Sequence, residues 1–404
     1  MVTLRMAFRN IFRHKRRSLF TGLSIMGGFT LAVIFIGWAD GSYNGIIEEF
    51  TRNRLGHIQI HEKTYLDQAS LYKTIDQTSR LAQILDETPG VDSWAPRLYS
   101  AGLAAVGEKS AGVAILGIDP QKENRTTRFD QKIVSGRTFS GDAAKEAILG
   151  QGLAEILEAG LRDEIVIISQ ASDGSIANDL YTIVGILSSG DEASDRTSFY
   201  LTLTEAQELM ALEGRVHEIV LTVDRLSRVQ EVNDLVAARI DDPALSVTPW
   251  QTFAKAFYEA MQTDKAGMYV ELIVIVLIVA IGVLNTVLMS VLERRREYGL
   301  MKAIGTKPRQ IVGLVLLEVI ILTLISIAIG SGLGFGANTF LSKHGVTFGE
   351  FSYGGMEFGI LRAEVNLRSF VIPMVTVILA ALVVSLIPAV KAARTEPAKT
   401  MRMH

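Results

Sequence analysis

Three places in this 404-residue chain combine residue types that could do chemistry. Gly102 to Ser110, GLAAVGEKS, nearly spells the phosphate-binding loop G-x-x-x-x-G-K-[ST], in which backbone N–H groups and a lysine hold a nucleotide. Glu108, inserted before Lys109, would set a carboxylate against the phosphates, and strand-like AGVAILGI follows where the motif needs a helix. That match is accidental. His57 and His61 are four apart, but GHIQIH alternates as a strand, which places them on one sheet face roughly 13 Å apart, too far to share a metal. Glu318 interrupts a long apolar run, where a carboxylate serves a proton or ion or balances a nearby cation. The basic stretch nearby makes the second role the expected one. There is no cysteine, nucleophile elbow or H-E-x-x-H run. The chain is therefore expected to be no enzyme and to hold no metal.

The elements that position these residues follow from hydropathy. Hydrophobic residues make up 49% of the chain and charged ones 21%, and four windows concentrate the apolar side chains. These are Leu19 to Ala39, Leu272 to Leu292, Gln310 to Ser342 and Ser369 to Val390. Each reaches the ~20 residues that a helix needs to cross a bilayer. The first is longer than a signal peptide's apolar stretch and no cleavage site follows it, so it reads as a retained anchor.

Net charge is −3, but its distribution matters more. Arg5, Arg9, Arg13, Lys15, Arg16 and Arg17 precede the first window without an acid, and the link from 293 to 310 and the tail (Lys391, Arg394, Lys399, Arg402) are also basic. The loop from 338 to 368 is balanced: Lys343, Arg362 and Arg368 against Glu350, Glu357 and Glu364. The positive-inside rule puts both termini and the basic link in the cytoplasm, with Gly41 to Gly267 outside. In LRMAFRNIFRHKRR, Leu4, Ala7, Phe8, Ile11 and Phe12 share one helical face, an interfacial amphipathic pattern; nothing else supports a nucleic-acid partner.

The outer region reads as α+β. GHIQIHE alternates as a strand, TSRLAQILDET as a helix, and VDSWAPRLYSAGLAAVGEKSAGVAILGID as strands with glycine turns. After Gly214, VHEIVLTVD is a strand, RLSRVQEVNDLVAARI a helix opened by Ser227, and LSVTPW a strand. This repeat of strand, helix and strand predicts one lobe split by an insertion of mostly β structure containing KEAILGQGLAEIL, DEIVIIS and LYTIVGIL. In the third window Gly330 and Gly334, and likewise Gly332 and Gly336, are four apart, with Ser326 one turn earlier; small residues at this spacing allow close helix packing in lipid.

The basic link, LERRREYGLMKAIGTKPRQI from Leu292 to Ile311, mixes arginines with Leu300, Met301 and Ile304. It predicts a short helix from Arg294 to Ile304, capped by Gly305 and stopped before Pro308, with Met301 and Ile304 as its contact pair.

This stretch resembles the coupling helix of FtsX-like permeases, the membrane subunits of macrolide-exporter-type ABC transporters. Their run E-R-x-x-E-I-G-x-x-[RK]-A-[IL]-G maps onto Glu293, Arg294, Glu297, Gly299, Lys302, Ala303, Ile304 and Gly305, with Tyr298 in place of the usual isoleucine. LRMAFRNIFRHKRRS resembles the family's first helix, LLEVIILTLISIAIGSGLG its third span, and IPAVKAARTEPAKTMR its closing segment, with Pro388, Ala392, Ala393 and Pro397 in place. Length and LGHIQIHEKTYLD are similar to the lipoprotein-releasing permeases.

The resemblance implies an α-helical membrane protein with four transmembrane helices and a large two-lobed extracytoplasmic α+β domain inserted between the first and second. The expected boundaries are an amphipathic helix at 1–17, spans at 18–40, 268–292, 310–338 and 369–390, and a periplasmic domain at 41–267. Within that domain the split lobe covers about 45–119 and 215–250 and the inserted lobe about 120–214. A coupling helix at 293–309, an outer loop at 339–368 and a tail at 391–404 complete the chain. The resemblance implies a bacterial inner-membrane permease that pairs with a second permease chain and binds a separate cytoplasmic ATPase through Glu293 to Gly305, Arg295 and Arg296 included. ATP and Mg would sit on that partner, with no cofactor on this chain. A hydrophobic or lipidated cargo is expected, with a further periplasmic partner. The alternative is a regulator that passes the ATPase's state to an extracytoplasmic enzyme such as a cell-wall hydrolase.

Overall fold

The computed structural model describes residues 2–13, 15–141, 145–347, 351–353, 356–358 and 360–395. Glu350, Pro397, Lys399 and Arg402 lie outside the described residues, as do the side chains of Leu4, Arg5, Ile11, Phe12, Arg17 and Glu357. The chain divides into two units, one of residues 1–44, 261–348 and 360–404, the other of residues 45–260 and 349–359.

The first unit is helical. A helix Val2–Arg13 precedes four long helices, Lys15–Phe50, Lys255–Glu293, Pro308–His344 and Arg368–Ala393. Each contains a stretch apolar enough to cross a membrane, with mean hydropathy from 2.1 to 3.0. The first outruns its apolar window at its end, through Gly41 and Gly45 to Phe50, and the second at its start, from Lys255, so residues 45–50 and 255–260 of these helices belong to the other unit. Pro373 and Pro388 lie inside the fourth helix, where a proline removes one backbone donor and leaves a carbonyl to be satisfied otherwise. Ile25, Phe29, Val283, Val315, Val377 and Ala389 belong to the buried core of this unit.

The second unit is built on a ten-stranded sheet, while Phe351–Tyr353 and Met356–Phe358 pair as a separate two-stranded one. The strands of the large sheet are β1 Ile58–Glu62, β2 Val91–Val106, β3 Lys109–Ile118, β4 Ile133–Gly136, β5 Glu146–Gly150, β6 Glu164–Gln170, β7 Ile176–Leu187, β8 Ser198–Thr202, β9 Glu218–Val223 and β10 Leu245–Pro249. The order is β10-β1-β9-β2-β3-β8-β5-β7-β4, with β6 bonded to β2 and β7. β3 with β8 and β5 with β7 are parallel; the other pairs are antiparallel. Leu98, Ile115, Leu149, Ile167, Tyr181 and Phe199 anchor its main core.

The motifs set aside on sequence grounds fall into this scaffold. Gly107 and Glu108 form the two-residue turn between β2 and β3, with Gly107 in the left-handed region at φ 58°, so Gly102 to Ser110 is a hairpin. His57 Nδ1 accepts from the Val223 N–H at 2.9 Å, whereas His61 Nε2 lies 3.1 Å from Glu218 Oε2. The two histidines therefore serve different partners. The helix expected to open at Ser227 instead starts at Val229 after a 3-10 turn, without a side-chain cap. Arg228 bridges Asp224 and Glu231 there, at 3.0 and 2.9 Å, and braces the turn in place of the serine.

Candidate functional site

The second long helix ends at Glu293, and Arg294 departs from helical geometry at φ −95° and ψ 15°. A nine-residue helix, Arg295–Ala303, follows. Its end is closed by two backbone bonds, Thr306 N–H to Met301 O at 2.9 Å and Gly305 N–H to Lys302 O at 3.0 Å. This is the Schellman arrangement, and it needs Gly305 at φ 98°, a value a side chain would strain. Pro308 then opens the third long helix, where the Lys307 N–H donates to Gln310 Oε1 at 2.9 Å.

One face of this short helix is fastened to the helical unit. Tyr298 is fully buried, Gly299 is buried and Met301 packs half-buried against the core. The Arg294 guanidinium donates from Nη1 to both Glu318 oxygens, at 3.0 and 2.9 Å, and from Nε to Glu297 at 2.8 Å. It also lies 5.2 Å from the Tyr298 ring centroid, a cation–π contact. Asn10 donates to the same Glu318 carboxylate at 2.6 Å. Burial works against the charge on Arg294, and Glu318, Tyr298 and Glu297 together outweigh it, so the arginine's pKa is raised. At the other end Lys302 donates to Ala393 O and Thr395 O, at 3.0 and 2.9 Å, satisfying carbonyls at the end of the fourth long helix.

The opposite face is bare. Leu300 is 59% and Ile304 77% exposed, one helical turn apart, and Glu293, Arg295, Arg296, Ala303 and Gly305 are exposed around them. The expected contact pair, Met301 with Ile304, is thus divided. Met301 belongs to the inner face and Leu300 replaces it outside. Arg294, Tyr298 and Lys302, grouped with the outward residues on sequence grounds, face inward.

The small-residue run in the third long helix also divides. A Cβ on Gly330 would stand 2.9 Å from Phe29 Cδ1, and one on Gly334 would stand 2.7 Å from Val33 Cγ1. Thr30 Oγ1 donates to Gly330 O at 3.2 Å, and Asn338 Nδ2 to Val33 O at 3.1 Å, in step with the same seam. Ser326 Oγ lies 3.4 Å from a Cβ built on Gly22. Gly332 and Gly336 face open space on the other side.

Two family models cover most of the chain: the MacB-like periplasmic core domain matches residues 18–239 and the FtsX-like permease C-terminal model matches residues 269–397. The chain belongs to the FtsX-like permease family. The permease is 24% identical over 311 residues to the lipoprotein-releasing system transmembrane protein LolC of Neisseria meningitidis, covering 73% of this chain and 72% of that one. It is 24% identical over 336 residues to the ABC transporter permease MJ1507 of Methanocaldococcus jannaschii, covering 81% of each. Against the macrolide export ATP-binding/permease protein MacB of Neisseria gonorrhoeae, identity is 23% over 355 residues, covering 85% of this chain and 53% of the other. The permease thus spans about half the length of that relative. Four apolar helices and the periplasmic-core match make it an inner-membrane protein with a β-rich periplasmic domain.

Proposed function

We propose that this permease is the non-catalytic membrane subunit of an ABC transporter, moved by a separate cytoplasmic ATPase that carries ATP and Mg. The receiving surface is the bare face of the 294–305 segment. The observation that carries this is the pairing of a fastened inner face with exposed Leu300 and Ile304, flanked by Arg295 and Arg296. Two apolar side chains in a basic surround suit an interface in which few residues hold most of the affinity and the charges steer encounter. Basic residues at the amino terminus, in this segment and at the tail put them in the cytoplasm and residues 41–267 in the periplasm. A split lobe, 45–119 with 215–250, and an inserted lobe, 120–214, would form that domain; the grouping of β1, β2, β3, β9 and β10 along one part of the sheet supports it. A second permease chain completes the transporter. The cargo is lipidated or otherwise hydrophobic, by analogy with the lipoprotein-releasing LolC and the macrolide exporter MacB.

Replacing Leu300 and Ile304 together with Asp tests the reading. Insertion and periplasmic folding should persist, because both side chains are exposed, while ATPase co-purification and permease-stimulated ATP turnover fall by about tenfold or more, as loss of two central contacts predicts. Full retention of both would remove the proposal's main support. Lipid or lipoprotein in the eluate would favour transport over regulation of an extracytoplasmic enzyme.

A further inference from the structure

Arg294 is the one residue between the second long helix and the short helix that follows, and its backbone is out of helical geometry. A break at that point would let the short helix swing without moving anything else. Its side chain, however, is held by a carboxylate from the third long helix, 24 residues away, with both Glu318 oxygens engaged. Asn10, from the first helix, grips that carboxylate too, and Glu297 takes the remaining edge of the guanidinium. Arg294 and Glu318 are both largely shielded, with 5% and 12% of their side chains exposed.

Two considerations decide what this pair is for. A carboxylate within an apolar span is costly, so it must return something. Stability is a poor answer, because a packed apolar pair of similar volume commonly matches or exceeds a buried ion pair. A guanidinium held through Nη1 by Glu318 and through Nε by Glu297 supplies fixed direction instead, which a Met–Leu contact would not.

We propose that Glu318 is a positioning residue that locks the Arg294 joint, so that displacement of the 295–303 helix is delivered to the third long helix instead of being lost at the joint. Lys302, bonded to the end of the fourth long helix, holds the other end of the same lever. This deepens the proposed function and rests on its premise that residues 294–305 receive the ATPase.

The test uses the full-length permease with its ATPase in proteoliposomes, and separates binding from stimulation. Glu318→Gln leaves ATPase association close to wild type and lowers permease-stimulated turnover by about five- to tenfold, in the lower range of couplings between distant sites. The paired change Arg294→Met with Glu318→Leu keeps insertion and thermal midpoint, yet turnover stays low. The exchanged pair, Arg294→Glu with Glu318→Arg, recovers part of it. A purely structural pair gives the reverse pattern: the apolar pair works like wild type once folded. Full stimulation in the Met–Leu pair overturns the proposal. If Glu318→Gln reduces membrane levels, turnover per inserted molecule in the two paired variants decides. The premise fails separately, when Asp at Leu300 and Ile304 leaves coupling intact.

Discussion

Arg97 in the sheet unit and Arg294 in the helical unit are both buried arginines, each held by two carboxylates. Arg97, on β2, meets Glu123 through Nη2 and, from Nε, at 3.3 Å, and Glu218 at 3.4 Å. Tyr99 donates to Glu218 at 3.1 Å and His61 sits 3.1 Å from its other oxygen. Burial favours the neutral acid at Glu218, yet His61 and Arg97 outweigh it and hold the pKa below the ordinary carboxylate value. All these groups come from strands β1, β2 and β9 and the adjoining helix Pro120–Thr127, elements already bonded into one layer or packed on it. Arg294's two carboxylates come from the short helix and the third long helix, and Asn10 of the first helix holds Glu318 in turn, so the knot joins helices rather than strands of one layer. Similar chemistry therefore joins different things: the first knot lies within one bonded layer and the helix packed on it, the second ties separate helices together.

The largest effect should fall on the first knot. Arg97→Met leaves Glu123 and Glu218 buried without their cation, a loss of about 3–5 kcal/mol. The periplasmic domain should become protease-sensitive at temperatures where the wild type resists. The matching Arg294→Met/Glu318→Leu pair should leave thermal stability nearly unchanged. Equal destabilisation by both would erase the distinction between the knots.

Next in size is the glycine seam. Gly334→Leu must push Val33 aside, and overpacking of this kind costs about 1–3 kcal/mol. Gly332→Leu, on the open side, should cost almost nothing within the chain. A lower thermal midpoint for the first variant alone confirms that the two glycine pairs have separate jobs. If Gly332→Leu instead weakens self-association in detergent, the open side is where the second chain sits.

Much of this was readable beforehand, for stated reasons. The spans are visible because lipid leaves a chain few alternatives to a long helix, and length plus apolarity suffice to find one. The strands are visible where polar and apolar residues alternate, as in GHIQIHE. Pairings such as β3 with β8 were not, because residues 114 and 198 meet through closure of a long excursion that local pattern does not encode. The short helix was seen, with its glycine stop, but not its orientation. Nine residues give too few turns for an apolar stripe to stand out, and arginine can cover either face. Glu318's partner was foreseeable only as a charge; that it would be Arg294, at the joint, required the packing of three helices.

The smallest prediction tests whether the contrast between the knots depends on burial. Glu146, at the start of β5, accepts two bonds from Arg137, at 2.6 and 3.1 Å, and two from Ser140, at 2.6 and 2.9 Å. Unlike Arg97 or Arg294, Arg137 is half-exposed, so solvent screens the pair. The Arg137 bond, against the opposing effect of burial, and the Ser140 bonds hold the Glu146 pKa at about 2, below its ordinary 4.5. A depressed carboxylate adds stability that is complete above the unfolded value and disappears as pH falls toward the folded one. Glu146→Gln should therefore cost about 1 kcal/mol at neutral pH, the upper end for a screened pair, and flatten the loss of stability between pH 4.5 and 2. Acid unfolding of the full-length protein, followed by tryptophan fluorescence, reads both. A loss as large as that of Arg97→Met would mean that bond count rather than burial ranks these contacts. An unchanged acid limb would mean that Arg137 and Ser140 do not hold this carboxylate in solution.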